Sequence, residues 1–266
     1  MGLKKYLPAS AKNFYRKLRW FKEHYNDIDR YNAIDSALCY GPVTYNTDGL
    51  VTCLNCDFVN DPVFQKAYAA AVSTNPWKGF TLQWRVYVVC WLANHVKHLA
   101  GDFVECGVNT GSYAKAIITY TNFNELGKTF SLLDTFDGLV AEMLTEDEKN
   151  AGLDTYLSQY KNVYEQVKVT FQNDKVDIIK GAVPGTLPMC KADKIAYLSI
   201  DMNNVHPEIA ALEYFYDKVM PGGVIVLDDY GFPQHINQKK AFDNFARQKN
   251  ITIFSIPTGQ GIIFKQ

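Results

Sequence analysis

Three acids in the second half of the chain stand where a reaction could use them. Asp201 closes the apolar run Ile195–Asp201, and Asp228 and Asp229 close the run Gly223–Asp229. If those runs are neighbouring parallel strands, three carboxylates meet at one sheet edge and repel one another. A hard divalent cation would relieve that repulsion, and Mg²⁺ suits carboxylates supplemented by water and substrate oxygens. A hydroxyl bound there would become acidic enough to attack an electrophile, with Asp201 as the base that takes its proton. The competing reading is three caps or loop acids facing solvent. His235 follows "DDYGFPQ" closely enough to be a second candidate base, although a solitary histidine is more often structural. His206 is the weaker candidate of the two.

A second constellation precedes these acids. In "GDFVECGVNTGSYAKAI" an apolar strand, Phe103–Cys106, runs into a loop with glycines at 107 and 111 and then into a helix. A dinucleotide loop needs G-x-G-x-x-G, whose second glycine lets the backbone approach a pyrophosphate. Here Asn109 holds that place, so S-adenosylmethionine, which has no pyrophosphate, suits the loop better. Glu105, an acid near the end of a buried strand, needs a partner, and an amino-acid ammonium group would supply one. Asp134, after Leu132 and Leu133, is placed to bind ribose hydroxyls at the carboxyl edge of the sheet; its alternative role is a turn cap. Thr110 and Ser112 in the loop, Thr135 beside Asp134, Gly181 after the third strand, and Asp201 complete the candidate cofactor contacts.

These residues need an open sheet to bring them together. Runs at Phe103–Cys106, Phe130–Phe136, Val176–Lys180, Ile195–Asp201 and Gly223–Asp229 are almost continuously apolar, as parallel strands covered on both faces should be. Helices starting near Gly111, Thr145, Pro207 and His235 connect them, with a shorter link after Val183. Upstream, Asp61-Pro62 reads as a cap and first turn of a helix through Val72, and a second helix spans Leu82–Leu99. At the end, "ITIFSIP", "TGQ" and "GIIFKQ" form a hairpin, so the last strand must run antiparallel. The expectation is an α/β, Rossmann-like fold: a doubly wound, mostly parallel seven-stranded sheet with a C-terminal antiparallel hairpin. Residues 1–80 would form an N-terminal helical and loop cap, and residues 81–266 the cofactor-binding domain. A parallel core closed by such a hairpin resembles class I S-adenosylmethionine-dependent methyltransferases.

The stretches "GDFVECGV", "LLDTFDGL", "KGAVPGTLP", "IDMNNVHPEIAALEYFY" and "MPGGVIVLDDYG" resemble, in order, signatures of the macrocin O-methyltransferase family. The resemblance covers roughly residues 80–266. It implies methyl transfer to sugar hydroxyls, a divalent metal, and Asp201, Asp228 and Asp229 as its ligands. The family pattern Asp-x-Asp-Leu-Tyr-Glu-Pro is altered here to "DMNNVHP": Asn203 replaces the second acid, and Val205 and His206 replace tyrosine and glutamate. An O-methyltransferase of the catechol type, acting on an aromatic diol, would use the same three acids. A non-catalytic cofactor binder would have lost one of Glu105, Asp134, Asp201, Asp228 or Asp229, and none is lost.

Bulk properties bound the remainder. With 266 residues, 47% of them hydrophobic, and a formal net charge of −1, the chain has ample core and no basic field for nucleic acid. The first thirty residues gather Lys4, Lys5, Lys12, Arg16, Lys17, Arg19 and Lys22 among aromatics. This fits a helix packed on the body better than a peripheral contact with an anionic inner membrane surface. Self-association through the N-terminal helices stays open. Cys53 and Cys56 have C-x-x-C spacing without a second pair, so free thiols are expected rather than zinc. Cys90 and Cys106 read as small core residues. No apolar run is long enough to span a bilayer, and a cytoplasmic protein acting on a small molecule or glycan is expected.

Overall fold

The computed structural model describes residues 43–150 and 161–266. The basic segment and Cys39 lie outside the described residues, as does part of the helical link begun near Thr145. The described residues fall into two units. One holds 43–46 and 51–56, the other 47–50 and all those from 57 onward. In the smaller unit Tyr45 is buried, the Thr44 amide donates to the Thr52 carbonyl at 2.9 Å, and Cys53 and Cys56 are free thiols. Strands β1 (Tyr45–Thr47) and β2 (Leu50–Thr52) make a two-stranded sheet. Their Asp48-Gly49 turn is left-handed at both residues, with φ of 56° and 72°, the conformation a two-residue hairpin prefers.

The larger unit is built on a seven-stranded sheet. Its strands are β3 (Asp102–Cys106), β4 (Phe130–Asp134), β5 (Val176–Lys180), β6 (Ile195–Ile200), β7 (Val219–Leu227), β8 (Phe254–Ser255) and β9 (Gly261–Phe264). The spatial order is β5-β4-β3-β6-β7-β9-β8; β3 to β7 are parallel, and β9 is antiparallel to both β7 and β8. This is the doubly wound sheet with a C-terminal hairpin expected from the sequence. β4 ends at Asp134 rather than Phe136. β7 begins at Val219 rather than Gly223, because a register shift against β6 takes up Met220-Pro221-Gly222-Gly223 within the strand.

Alternation along the strands explains why they read as continuous apolar runs. Phe103, Phe130, Leu132, Val224 and Val226 face one core, while Val104, Cys106, Leu133, Ile225 and Leu227 face a second one on the opposite side. The first core is closed by α1 (Pro62–Ser73), α2 (Gln83–Val96) and α3 (Ser112–Thr121), which contribute Ala67, Val89 and Ile117 among others. Asp61 caps α1 as expected, accepting from the Val63 and Phe64 amides at 2.8 and 2.9 Å, with Pro62 in the first turn. The link from β4 to β5 carries α4 (Glu146–Asn150) and α5 (Tyr164–Thr170). The second core is closed by α6 (Val205–Phe215) and α7 (Ile236–Lys249) through Leu212, Phe215 and Phe242.

The parallel strands end level. The Gly107 amide donates to the Leu133 carbonyl at 2.9 Å, the Asp201 amide to Cys106 at 2.8 Å, and the Asp228 amide to Ile200 at 3.1 Å. From β3 the chain proceeds outward through β4 and β5, then returns to β6 and β7 on the other side. That reversal opens a crevice at the carboxyl ends of β3 and β6, the place where open α/β sheets bind ligands.

Candidate active site

A cleft of about 190 Å³ occupies this crevice. Glu105, Gly107, Asn109, Ser112, Asp134, Thr135 and Gly181 line it together with Asp201, Asp228, Asp229 and Arg85. Trp77, Leu82, Leu139, Val140 and Met143 supply apolar wall. Thr110 and Gly111, expected among the cofactor contacts, are absent from the wall. The Thr110 hydroxyl is turned inward to Thr74 at 3.0 Å, and Gly111 lies against the Phe171 ring, which an added Cβ would meet at 2.3 Å.

Gly107 answers to backbone packing as well as to the bend. Its φ is 90°, and a Cβ there would stand 1.8 Å from the Asp201 carbonyl oxygen. The close approach of two strand ends is therefore what demands glycine. Asp134 organises the same loop. One carboxylate oxygen accepts from the Val108 and Asn109 amides at 2.6 and 2.8 Å, the other from the Phe136 amide at 2.6 Å and the Thr135 hydroxyl at 3.2 Å. These bonds end β4 and hold the glycine loop against it.

Glu105 is 2% exposed, and its Oε2 has no hydrogen-bond partner. Burial, with the charges of Asp228 and Asp134, pushes its carboxyl well above the ordinary range. Such a group is costly unless a cation meets it. An orphaned acid on the wall of a cleft is a fitting counterpart for an ammonium group.

One oxygen from each of Asp201, Asp228 and Asp229 lies within 4.8 Å of the other two, the only such metal-competent cluster among the described residues. The donor set is all carboxylate, which fits a hard divalent cation. Burial and the two neighbouring carboxylates push Asp201 well above its usual range, with Arg85 opposing. Burial also raises Asp228 against the lowering effect of Arg85.

Arg85 was not foreseen. It projects from the first turn of α2, is 8% exposed, and ion-pairs with Asp228 Oδ2 and with Asp229 Oδ1, the latter at 3.2 Å. It also donates to the Asp228 carbonyl at 3.1 Å. Its partners are 143 and 144 residues away, so no local pattern announces the pairing. Gln260 donates to Asp228 Oδ1 at 2.9 Å, which ties the C-terminal hairpin to the cluster.

His235 is buried, with Nδ1 2.7 Å from Gln238 Oε1 and Nε2 3.6 Å from Asp229 Oδ2. It is absent from the cleft wall and stands behind Asp229, a position for orienting that acid rather than for reaching a substrate. His206 is exposed.

The altered "DMNNVHP" segment is ordered by two glutamates. Glu208 Oε1 accepts from the Met202 and Asn203 amides, both at 2.9 Å, and burial raises its pKa to about 8. Glu148 of α4 accepts from the Val205 amide at 2.8 Å and so caps α6. Asn203 has φ 61°, a left-handed conformation that asparagine tolerates, and its amide donates to Asp201 Oδ1 at 3.3 Å. An acid at 203 would instead add a fourth negative charge beside Asp201.

The family model described as macrocin-O-methyltransferase (TylF) matches residues 88–258. The chain is 24% identical over 147 residues to mycinamicin III 3''-O-methyltransferase of Micromonospora griseorubida, covering 50% of this chain and 56% of that one. It is 25% identical over 142 residues to the 8-demethyl-8-(2,3-dimethoxy-alpha-L-rhamnosyl)-tetracenomycin-C 4'-O-methyltransferase of Streptomyces olivaceus, covering 49% and 53%. The chain thus spans about half the length of the curated relatives it matches. Among solved structures, the O-methyltransferase NovP superposes with a TM-score of 0.64 at 19% identity, over 80% of this chain and 100% of that one. At that identity the likeness concerns the fold, a class I methyltransferase fold.

Proposed function

Because the chain belongs to the macrocin-O-methyltransferase family, we propose that it transfers a methyl group from S-adenosylmethionine to a hydroxyl of a sugar or glycoside, with a divalent cation such as Mg²⁺ at the acid cluster. The observation that carries this reading is one cleft lined both by a buried acid, Glu105, whose Oε2 has no hydrogen-bond partner, and by three converging carboxylates. The sugar is suggested by the rhamnosyl group in the name of one relative.

In this reading Glu105 meets the ammonium of the methyl donor. Asp134, its oxygens already taken by four donors, fixes the glycine loop that lies against the donor. Asp201, Asp228 and Asp229 would hold the cation, which when bound lowers the pKa of the substrate hydroxyl. Asp201 is the base that accepts the hydroxyl proton. A bound S-adenosylmethionine would supply the methyl group to that oxygen and leave as S-adenosylhomocysteine. His235 steadies Asp229 from behind. Leu139, Val140 and Met143 shield the reacting centre from water.

The test is incubation with methyl-labelled S-adenosylmethionine and a panel of glycosides, with Mg²⁺ or with chelator. Label on a glycoside only when metal is present supports the reading; label on catechols alone would replace the sugar by an aromatic diol.

A further inference from the structure

We infer that Arg85 is the resident cation of the acid cluster and competes with the divalent ion for it, Asp48 being the acid that receives the guanidinium when the ion binds. The inference rests on the metal-dependent reading above and concerns how the site is loaded.

The competition is at the level of individual oxygens. Arg85 Nη2 takes Asp228 Oδ2 and Asp229 Oδ1, while Gln260 takes Asp228 Oδ1. Both oxygens of Asp228 are taken, so an ion that leaves the Gln260 bond in place needs the oxygen that the guanidinium now occupies. Two cationic groups on one carboxylate oxygen would repel at close range, so the guanidinium must withdraw.

Withdrawal has a destination. Asp48 Oδ2 is buried without a donor, and Arg85 Nε is buried without an acceptor. The two orphans are complementary. The turn that carries Asp48 is fastened beside the start of α2 by the Thr47 and Thr81 hydroxyls, 2.6 Å apart. The guanidinium carbon lies 4.8 Å from the centre of the Phe232 ring, which gives it a surface to pivot on. Burial pushes the Asp48 carboxyl up to about 7 and the nearby Arg85 charge pulls it down, so the two groups already feel each other.

The experiment is a Mn²⁺ titration of the full chain, followed by the electron paramagnetic resonance signal of the free ion. Wild type, Arg85→Gln, Asp48→Asn and the double variant are compared, each first shown folded by circular dichroism. R85Q should bind Mn²⁺ about tenfold more tightly or better, the range expected for releasing a charge-assisted contact. D48N should bind severalfold more weakly than wild type, and the double variant should match R85Q, because without Arg85 there is nothing for Asp48 to receive. If R85Q does not fold, Arg85→Lys takes its place and should tighten binding by a smaller factor. R85Q binding no tighter than wild type overturns the competition while leaving the metal site standing. Tightening in R85Q with D48N unchanged overturns the part given to Asp48. If no protein binds Mn²⁺, the metal reading fails, and this inference falls with it.

Discussion

Replacing Glu105 by Gln should weaken S-adenosylhomocysteine binding and, at neutral to alkaline pH, raise the stability of the unliganded protein. Glu105 is 2% exposed with Oε2 unpartnered, and its acid is held well above the ordinary range. A charge-assisted bond from the ligand ammonium contributes about 1.5–3 kcal/mol, so losing the charge should raise the dissociation constant roughly 10- to 100-fold. The stability change has the opposite sign. An acid whose folded pKa lies above its unfolded one leaves the folded chain holding more protons. Its stabilising contribution is complete below the unfolded value of 4.5 and is lost as pH rises toward the folded value. Glutamine does not titrate, so the variant should match wild type near pH 5 and exceed it at pH 8. An unsatisfied buried group costs about 1–3 kcal/mol, and each kcal/mol shifts the midpoint by roughly 2–4 °C at this chain length. Calorimetric titration with S-adenosylhomocysteine and thermal scans at two pH values read both effects. Affinity within twofold of wild type would refute the role given to Glu105.

Other substitutions separate the roles further. Asp228→Asn should abolish methyl transfer while leaving S-adenosylhomocysteine affinity near wild type; unchanged turnover would remove the metal from the mechanism. Gly107→Ala drives a Cβ to within 1.8 Å of the Asp201 carbonyl at a φ of 90°, so the midpoint should fall by several degrees or the protein should not accumulate. Glu208→Gln should flatten the wild-type loss of stability between pH 4.5 and 8, since the raised Glu208 also favours its protonated form in the folded chain. Thermal midpoints across that pH range, compared between the two proteins, check it.

The fold was readable because its central strands are buried on both faces. Ile195–Ile200 and Val224–Leu227 are buried along their whole length, and Asp61-Pro62 marks a helix start by a local hydrogen bond. Boundaries were less legible where tertiary contacts set them. Asp134 ends β4 two residues early by capturing four donors, and Pro221 looks like a strand breaker until the register shift against β6 accommodates it. The three acids of the candidate site could be found because each follows an apolar strand. Arg85 and Asp48 could not. One is a lone cation in an apolar helix, the other a turn residue, and only the closed fold brings them to Asp228. Thr110 is the converse case: its place in the loop suggests a cofactor contact, and only the fold brings its hydroxyl to that of Thr74.

The most direct measurement of the central claim is the structure of the product. A glycoside that accepts label should be isolated after reaction with S-adenosylmethionine and Mg²⁺ and its new methoxy group located by nuclear magnetic resonance. The account predicts one methyl on a sugar-ring oxygen, absent when chelator replaces the metal. A methyl on an aromatic oxygen, or undiminished transfer in chelator, would contradict it.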